Sequence, residues 1–293
     1  MRAILAAVCV LFFMGVALAA DEPMIPQAAS DAGNLEAGFP TSIIDNTTVP
    51  QGRLVVGINA GIDAGSPYPN VQDDGTPAFS WKRTILTSMW EVQYGIMPDA
   101  QITAKWPLIV GKGVVSGNFD TTLALLWAPV KEDDTMPALG VEVAVRVPTG
   151  YGKSGWDASV TGVASKKLGE VGTFLNATYT TIGNNDDFNN VPAVSRRNDT
   201  NSFKLGADYM VMDNICLVAD YVNQQSWLSL TAADTDFGGA PDPFTVDRVQ
   251  LLEIGARMAV TDVDTVSVGV AVGVGNGNIT PDMIGTVGYQ RLL

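Results

Sequence analysis

LGVEVAVRV, the stretch at residues 139–147, decides the fold. Its odd-numbered positions hold leucine or valine, whereas its even-numbered positions hold glycine, glutamate, alanine and arginine. Because successive side chains of a β-strand point to opposite faces, this alternation predicts a strand with one apolar and one polar face. The same period of two recurs at 101–108, 203–211 and 253–260. No comparable stripe with the period of a helix follows the N-terminal apolar run, so the sequence predicts an all-β protein.

The spacing of the strand segments indicates how the sheet closes. Twelve segments are predicted, at about 53–65, 82–97, 100–110, 118–130, 138–148, 156–167, 171–183, 201–211, 215–227, 247–260, 265–274 and 280–293. Gaps after even-numbered segments are short, as at 98–99 and 212–214, whereas gaps after odd-numbered segments include 66–81, 184–200 and 228–246. Short turns on one rim, long loops on the other and an even strand number are typical of bacterial outer-membrane barrels. Since an unpaired edge is costly in hydrocarbon, the first and last segments must pair, and the predicted fold is a closed antiparallel transmembrane β-barrel of about twelve strands.

The composition excludes several classes of function. Of 293 residues only 16% are charged, below the roughly 25% of an average soluble domain. The chain contains no histidine, which removes the Ser-His-Asp triad and nearly every zinc site. Its formal net charge of −14 argues against binding to nucleic acid, which requires clustered Lys and Arg. We therefore expect no enzyme, no catalytic residue, no cofactor and no resident metal.

Three short patterns resemble ligand sites but are interpreted otherwise. Residues 150–154, GYGKS, lack the first glycine and the following helix of a phosphate-binding loop. The acidic run at 132–134 is interpreted as a solvated hairpin turn. Asp234, Asp236 and Asp242 could hold calcium through their carboxylates, but their spacing is not that of an EF-hand loop.

The N-terminus combines a targeting segment with a leader. A short positive start, an apolar run and the small-residue motif Ala17-Leu18-Ala19 predict a secretory signal peptide over 1–20. A transmembrane anchor is the alternative, but the run is shorter than the roughly 20 residues that a helical span needs. Residues 21–52 show no sustained period and predict an extended periplasmic leader or plug, which leaves 53–293 for the barrel. Removal of the signal leaves Cys216 as the single cysteine, so no intramolecular disulfide can form.

Charged residues of both signs fall on the predicted inner faces of the strands. We expect them to form the field that filters solutes, with ion pairs that link neighbouring strands as the alternative. Either role requires water or a partner charge inside the barrel. The candidate lumen and selectivity residues are Glu91, Lys105, Glu142, Arg146, Lys167, Lys204, Asp208, Asp220, Glu253 and Arg257.

Aromatic residues fall on the apolar faces, mostly near the ends of the segments. Amphipathic rings settle at the boundary between membrane and water, so these residues are predicted to form interfacial girdles. They are Trp90, Tyr94, Trp106, Trp127, Tyr179, Tyr209, Tyr221 and Tyr289.

Three motifs stand at the start of the barrel, at its second hairpin and at its centre. They are TVPQGRL at 48–54, EVQYGI at 91–96 followed by AQI, and VPTG at 147–150 before a glycine-rich loop. Together they resemble the outer-membrane family labelled for the meta-pathway of phenol degradation. The resemblance implies a barrel proposed to pass small, often aromatic, solutes across the outer membrane. One departure is the C-terminal Leu293, where such barrels usually end in an aromatic residue.

The sequence thus predicts a monomeric, passive outer-membrane channel for small organic solutes, aromatic ones included. About eight strands give a filled interior and 16–18 leave a wide channel, so a narrow pore is expected, partly plugged by 21–52 or 228–246. The expected partners are membrane lipid, the solute and the outer-membrane assembly machinery. The alternative is a structural or adhesive barrel whose filled lumen passes nothing and whose acidic loops bind a partner or a divalent cation. A third interpretation is a secreted soluble β-sandwich.

Overall fold

The computed structural model describes residues 46–71, 77–111, 117–118, 120–149, 156–181, 183, 194–196, 199–225, 228–230, 248–274 and 283–293. One strand corresponds to each predicted segment. In chain order the barrel strands are β1 Leu54–Val71, β2 Pro77–Met97, β3 Ala100–Gly111, β4 Thr121–Val130, β5 Ala138–Val147, β6 Asp157–Leu168, β7 Val171–Thr181, β8 Asp199–Met212, β9 Ile215–Gln225, β10 Arg248–Ala259, β11 Asp264–Gly273 and β12 Met283–Leu292.

These strands form one closed antiparallel sheet. Consecutive strands pair with each other, and β1 also pairs with β12. Along this seam Val55 faces Leu292, and the backbone N–H of Leu293 donates to the carbonyl of Leu54 at 2.7 Å. The predicted pairing of the first and last segments is therefore confirmed. Closure gives each barrel strand a neighbour on both sides, as hydrocarbon surroundings require.

The connections differ in length between the two ends of the barrel. On one rim the strands are joined across 98–99, 131–137, 169–170, 213–214 and 260–263. Gly169, with a φ of 67°, begins one of these two-residue turns. On the other rim the strand ends are farther apart in sequence, as between Gln225 and Arg248. We name them the periplasmic and extracellular rims, by the rule that outer-membrane barrels carry short turns on the periplasmic side.

The polarity of the barrel is the reverse of that of a soluble protein. On the outer face, Trp90 is 54% exposed and Val143 is 46% exposed, whereas the inward-facing Gln93 and Glu253 are both 0% exposed. A soluble sandwich would bury its valines and solvate its acids, so that alternative is wrong. The apolar outer face is suited to acyl chains, and the polar faces of the strands meet in the interior.

The first hairpin is longer than the sequence predicts. Strand β1 continues to Val71 and β2 begins at Pro77, whereas the predicted segments were 53–65 and 82–97. Glycine and proline at 65–67 favoured a loop, but register shifts within 64–68 allow the pairing to continue. Short paired segments also extend the extracellular side, with Gly117–Asn118 against β3 and Val194–Arg196 against Leu228–Leu230.

Several predictions fall on residues outside the described part of the chain. They are the signal peptide at 1–20, the leader up to residue 45, the GYGKS loop, Asp234, Asp236 and Asp242, and the loop at 228–246 beyond residue 230. In the part of the chain that the structure describes, no helix is long and apolar enough to cross a membrane.

Candidate functional site

Six ionisable side chains form a belt on the inner wall, away from both rims. Their exposed fractions range from 0% to 8%, although each strand also carries exposed apolar side chains on its other face. The period-two alternation turns them inward, and the curvature of the small barrel buries them. The members of this lumen belt are Glu91, Lys105, Glu142, Lys204, Asp220 and Glu253, all of which belong to the predicted lumen set.

Opposite charges face each other in the first half of the belt. Glu91 on β2 is the cross-strand partner of Lys105 on β3, and both side chains are 2% exposed. Gln93 also donates a hydrogen bond from its Nε2 to Oε1 of Glu91. An acid directly opposite a base compensates its charge without solvent, which is what a buried ion needs.

A second charge group lies nearer the extracellular rim. The guanidinium of Arg146 contacts the carboxylate of Asp157 through Nη2, and its Nε lies 3.8 Å from Oδ2 of Asp120. Asp157 also accepts a hydrogen bond from the backbone N–H of Gly183 at 2.9 Å. The sequence reasoning missed Asp120 and Asp157 as lumen residues. Both lie in predicted strands at inward positions, so the same alternation could have identified them.

Two acids face each other in the second half of the belt. Asp220 on β9 is the cross-strand partner of Glu253 on β10, with exposed fractions of 1% and 0%. Neither carboxylate oxygen of Asp220 accepts a hydrogen bond from the described residues. Like charges directly opposite each other destabilise an antiparallel pair, so this arrangement differs in kind from the Glu91–Lys105 pair.

The other predicted charges of this half lie on either side of the two acids. Lys204 and Asp208 lie on β8, and Arg257 lies on β10 below Glu253, toward the periplasmic rim. Asp208 accepts a hydrogen bond from the backbone N–H of Gly172 at 3.1 Å. A Cβ on Gly172 would stand 2.2 Å from Oδ1 of Asp208, so a side chain at this position would displace the Asp208 carboxylate.

An apolar patch lies on the inner wall beside the two acids and on their extracellular side. We define it as Val222 on β9, Val249 and Leu251 on β10, Ala271 on β11 and Ile284 on β12. This patch was not predicted, because the inner faces of the strands were expected to carry only polar or small residues. The signal was present, since an inward position recurs two residues after Asp220 and two residues before Glu253.

The end of the leader lies against the inner wall near the periplasmic rim. Asn46 donates hydrogen bonds from Nδ2 to the carbonyl of Ala138 at 3.0 Å and to Oγ of Ser165 at 3.1 Å. The backbone N–H of Val49 donates to Oε1 of Gln101 at 2.7 Å, and Val49 is fully buried. Residues 46–50 therefore reach from β3 to β6.

Two glycines of the wall make room for this segment. A Cβ on Gly95 would stand 2.2 Å from the carbonyl oxygen of Val49 and 2.4 Å from that of Pro50. A Cβ on Gly140 would stand 2.5 Å from Oδ1 of Asn46. Gly95 thus allows the backbone of the leader to approach β2, and Gly140 leaves space on β5 for the Asn46 side chain.

The predicted aromatic residues lie on the outer face of the barrel. Seven of the eight are clearly exposed there, and Tyr221 is half-buried. Hydroxyl groups of three tyrosines donate to acids near the strand ends, namely Tyr289 to Asp264, Tyr209 to Glu170 and Tyr179 to Asp199. An interfacial position suits a tyrosine whose ring faces the lipid and whose hydroxyl group bonds to a polar group.

Two further predictions concern the periplasmic rim. Lys167 has the inward parity of β6 but is exposed at the rim, where its backbone N–H donates to Glu132, so it lies outside the lumen belt. Asp133 accepts hydrogen bonds from the backbone N–H groups of Met136 and Thr135, and these bonds hold the pKa of Asp133 below its usual range. The run at 132–134 therefore forms a turn, as the sequence indicated.

The architecture is similar to that of solved outer-membrane barrels. A crystal structure of an outer membrane channel from Pseudomonas putida F1 superposes with a TM-score of 0.67 at 15% identity, over 89% of this chain and 100% of that chain. The NanC porin superposes with a TM-score of 0.52 at 9% identity, over 80% of this chain and 98% of that chain. No protein-family model matches the chain, and no curated protein matches its sequence.

The likeness is one of fold, and the fold is that of a porin-like outer-membrane barrel. Together with the apolar outer face, it confirms the predicted outer-membrane location. The narrower resemblance to the meta-pathway family stays a prediction.

Proposed function

We propose that the protein is a passive outer-membrane channel for small organic solutes. The observation that carries the proposal is the inner wall, where strands on all sides contribute buried charged or amide side chains. A barrel with a purely structural role would be at least as stable with apolar side chains inside, because buried ion pairs contribute little net stability. Polar groups along the bore are what a path for water and polar solutes requires.

The mechanism is diffusion down a concentration gradient. A solute that passes the lumen belt exchanges part of its hydration for contacts with these side chains, so the signs and positions of the charges determine which solutes pass. Arg146 and its two carboxylates lie nearer the extracellular rim and would meet an incoming solute first. Aromatic solutes are included in the proposal, on the strength of the family resemblance.

Liposome swelling tests this function directly. Vesicles that contain the refolded protein should swell in isotonic solutions of small sugars and of benzoate, and the rate should fall as solute size increases. Vesicles that contain heat-denatured protein provide the baseline. If the vesicles swell in none of these solutes, the structural or adhesive alternative is favoured. The packing of the buried side chains of Leu126 and Val163 against each other on the inner wall supports that alternative.

We also propose that the leader is a plug of the periplasmic mouth. Its support is the seat of residues 46–50 on the inner wall. Gly95→Ala would place a methyl group against the backbone of Val49 and Pro50 and should displace the segment, which should raise the conductance in planar bilayers. Gly285→Ala is the control, because a Cβ there meets nothing within 4 Å. Equal conductance of the two variants would remove the plug from the proposal.

The remaining proposals concern processing and assembly. We expect cleavage after residue 20, insertion by the outer-membrane assembly machinery and a monomeric state in the membrane. N-terminal sequencing of the membrane-extracted protein checks the cleavage site, and its mass in detergent checks the oligomeric state.

A further inference from the structure

The two facing acids of the lumen belt create a local need for positive charge. Asp220 and Glu253 are direct cross-strand partners, which places their Cβ atoms about 5 Å apart on the inner face. Both are at least nine-tenths buried, and Asp220 accepts no hydrogen bond from the described residues through either oxygen. A buried carboxylate without a donor is costly, so this geometry is best satisfied by a bound donor that carries positive charge.

Among the described residues, the charges around the pair do not balance. Gly206 faces Asp220 from β8, and its inward neighbours along that strand are Lys204 and Asp208. Arg257 lies below Glu253 on β10. Three carboxylates therefore share this part of the wall with two bases, and a single monovalent cation balances them.

The apolar patch indicates what kind of group the rest of the ligand carries. Val222 and Leu251 are the next inward positions toward the extracellular rim after Asp220 and Glu253, and they contact Ala271 and Ile284. A ligand bound to the acids through its charged end would therefore lay an uncharged body against this patch. Burial of that body would add affinity in proportion to its apolar area.

An inorganic cation fits the same groups less well. Calcium takes six to eight oxygen ligands, and no group of three His, Cys, Asp or Glu side chains suited to a metal occurs in the described part of the chain. The patch offers no oxygen ligands from its side chains. An ammonium group has three N–H donors, which the carboxylate oxygens of two acids can accept.

From these observations we propose that Asp220 and Glu253 bind the protonated amino group of an organic amine whose apolar body packs on Val222, Leu251 and their neighbours. The inference rests on the channel function and names its class of solute, namely small organic ammonium ions. Because the acids are buried, they attract a cation more strongly than exposed acids of the rims, and the same burial disfavours anions.

Equilibrium binding to the full, refolded protein in detergent tests the inference without any need for transport. The probes are phenethylammonium, the neutral 2-phenylethanol and the anionic 3-phenylpropionate, which share an aromatic body and differ in charge. Calorimetry should give an affinity for phenethylammonium at least about tenfold above the other two, the amount that one charge-assisted contact provides. Equal affinities, or no binding of phenethylammonium, would overturn the inference.

Matched variants locate the site. Asp220→Asn should weaken phenethylammonium binding about tenfold or more, whereas Asp134→Asn removes the same charge from the exposed periplasmic turn and should leave it unchanged. Leu251→Thr should weaken phenethylammonium but not methylammonium, which lacks a body to reach the patch. Each variant is first checked for the heat-dependent shift of a folded barrel in electrophoresis. If Asp220→Asn binds phenethylammonium as tightly as Asp134→Asn and the parent protein do, the assignment to Asp220 is wrong.

Swelling assays with the same three probes separate this inference from the function on which it rests. Binding without permeation would leave the amine site in place and remove the channel. Permeation of all three probes at equal rates, without binding, would keep the channel and remove the amine site.

Discussion

The two halves of the inner wall hold buried charge in different ways. Across β2 and β3, Glu91 faces a side chain of opposite charge, Lys105. Across β9 and β10, Asp220 faces Glu253, and the compensating bases lie farther along the strands. The same alternation of polar and apolar residues produces both halves. The inward direction of a charged side chain therefore does not show whether it links two strands or is available to a solute. The identity of its cross-strand partner does show this.

The largest effect that this comparison predicts is on the pair of opposite charges. Lys105→Met leaves the Glu91 carboxylate buried without its opposite base and should lower the free energy of unfolding by about 3 kcal/mol. Urea unfolding in lipid vesicles, followed by tryptophan fluorescence, measures it. The double variant Glu91→Gln with Lys105→Met should recover most of the loss. A single variant as stable as the parent would mean that the pair does not link β2 to β3.

A smaller loss is expected where β7 meets β8. Gly172→Ala places a methyl group 2.2 Å from the Asp208 carboxylate and should force that side chain away from its backbone donor, at a cost of about 1–2 kcal/mol. Gly162→Ala on β6 is the matched control, because the nearest atom to its Cβ is the carbonyl oxygen of Ala177 at 4.0 Å. The same unfolding measurement applies. Equal losses at the two glycines would show that Asp208 can move without cost.

The smallest effect is expected at the facing acids. Asp220→Asn removes a buried charge that faces another acid, so the free energy of unfolding should stay within about 1 kcal/mol of the parent or rise. A loss as large as that of Lys105→Met would break the comparison. It would mean that Asp220 also links strands, in contacts beyond the described residues.

The periodicity of the sequence was sufficient for the fold, because each side-chain pattern is local to its strand. It placed twelve strands, their inward faces and the pairing of the first and last. It also turned Asp220 and Glu253 inward. The two-residue turn at 213–214 even fixes the register of β8 against β9 to within a small shift, since a tight turn leaves little freedom.

The pairing of Asp220 with Glu253 could not be predicted in the same way. Strands β9 and β10 are separated by 226–247, and a connection of that length does not determine register. A shift of the pairing could have set Asp220 nearer to Arg257 and produced another pair of opposite charges. The seat of Asn46 is likewise beyond prediction, because its partners Ala138 and Ser165 lie on distant strands and the leader has no period.

The seam between β1 and β12 has a consequence for biogenesis. It joins residues that are 240 positions apart, as the bond from Arg53 to Leu293 illustrates, so the ring closes only when β12 pairs with β1. Until then the chain exposes two unpaired strand edges and an apolar outer face, both of which favour aggregation with other chains. Such long-range closure also makes for slow maturation. A chain without β12 would leave the edges of β1 and β11 unpaired, and an unpaired edge is a template for association with other chains.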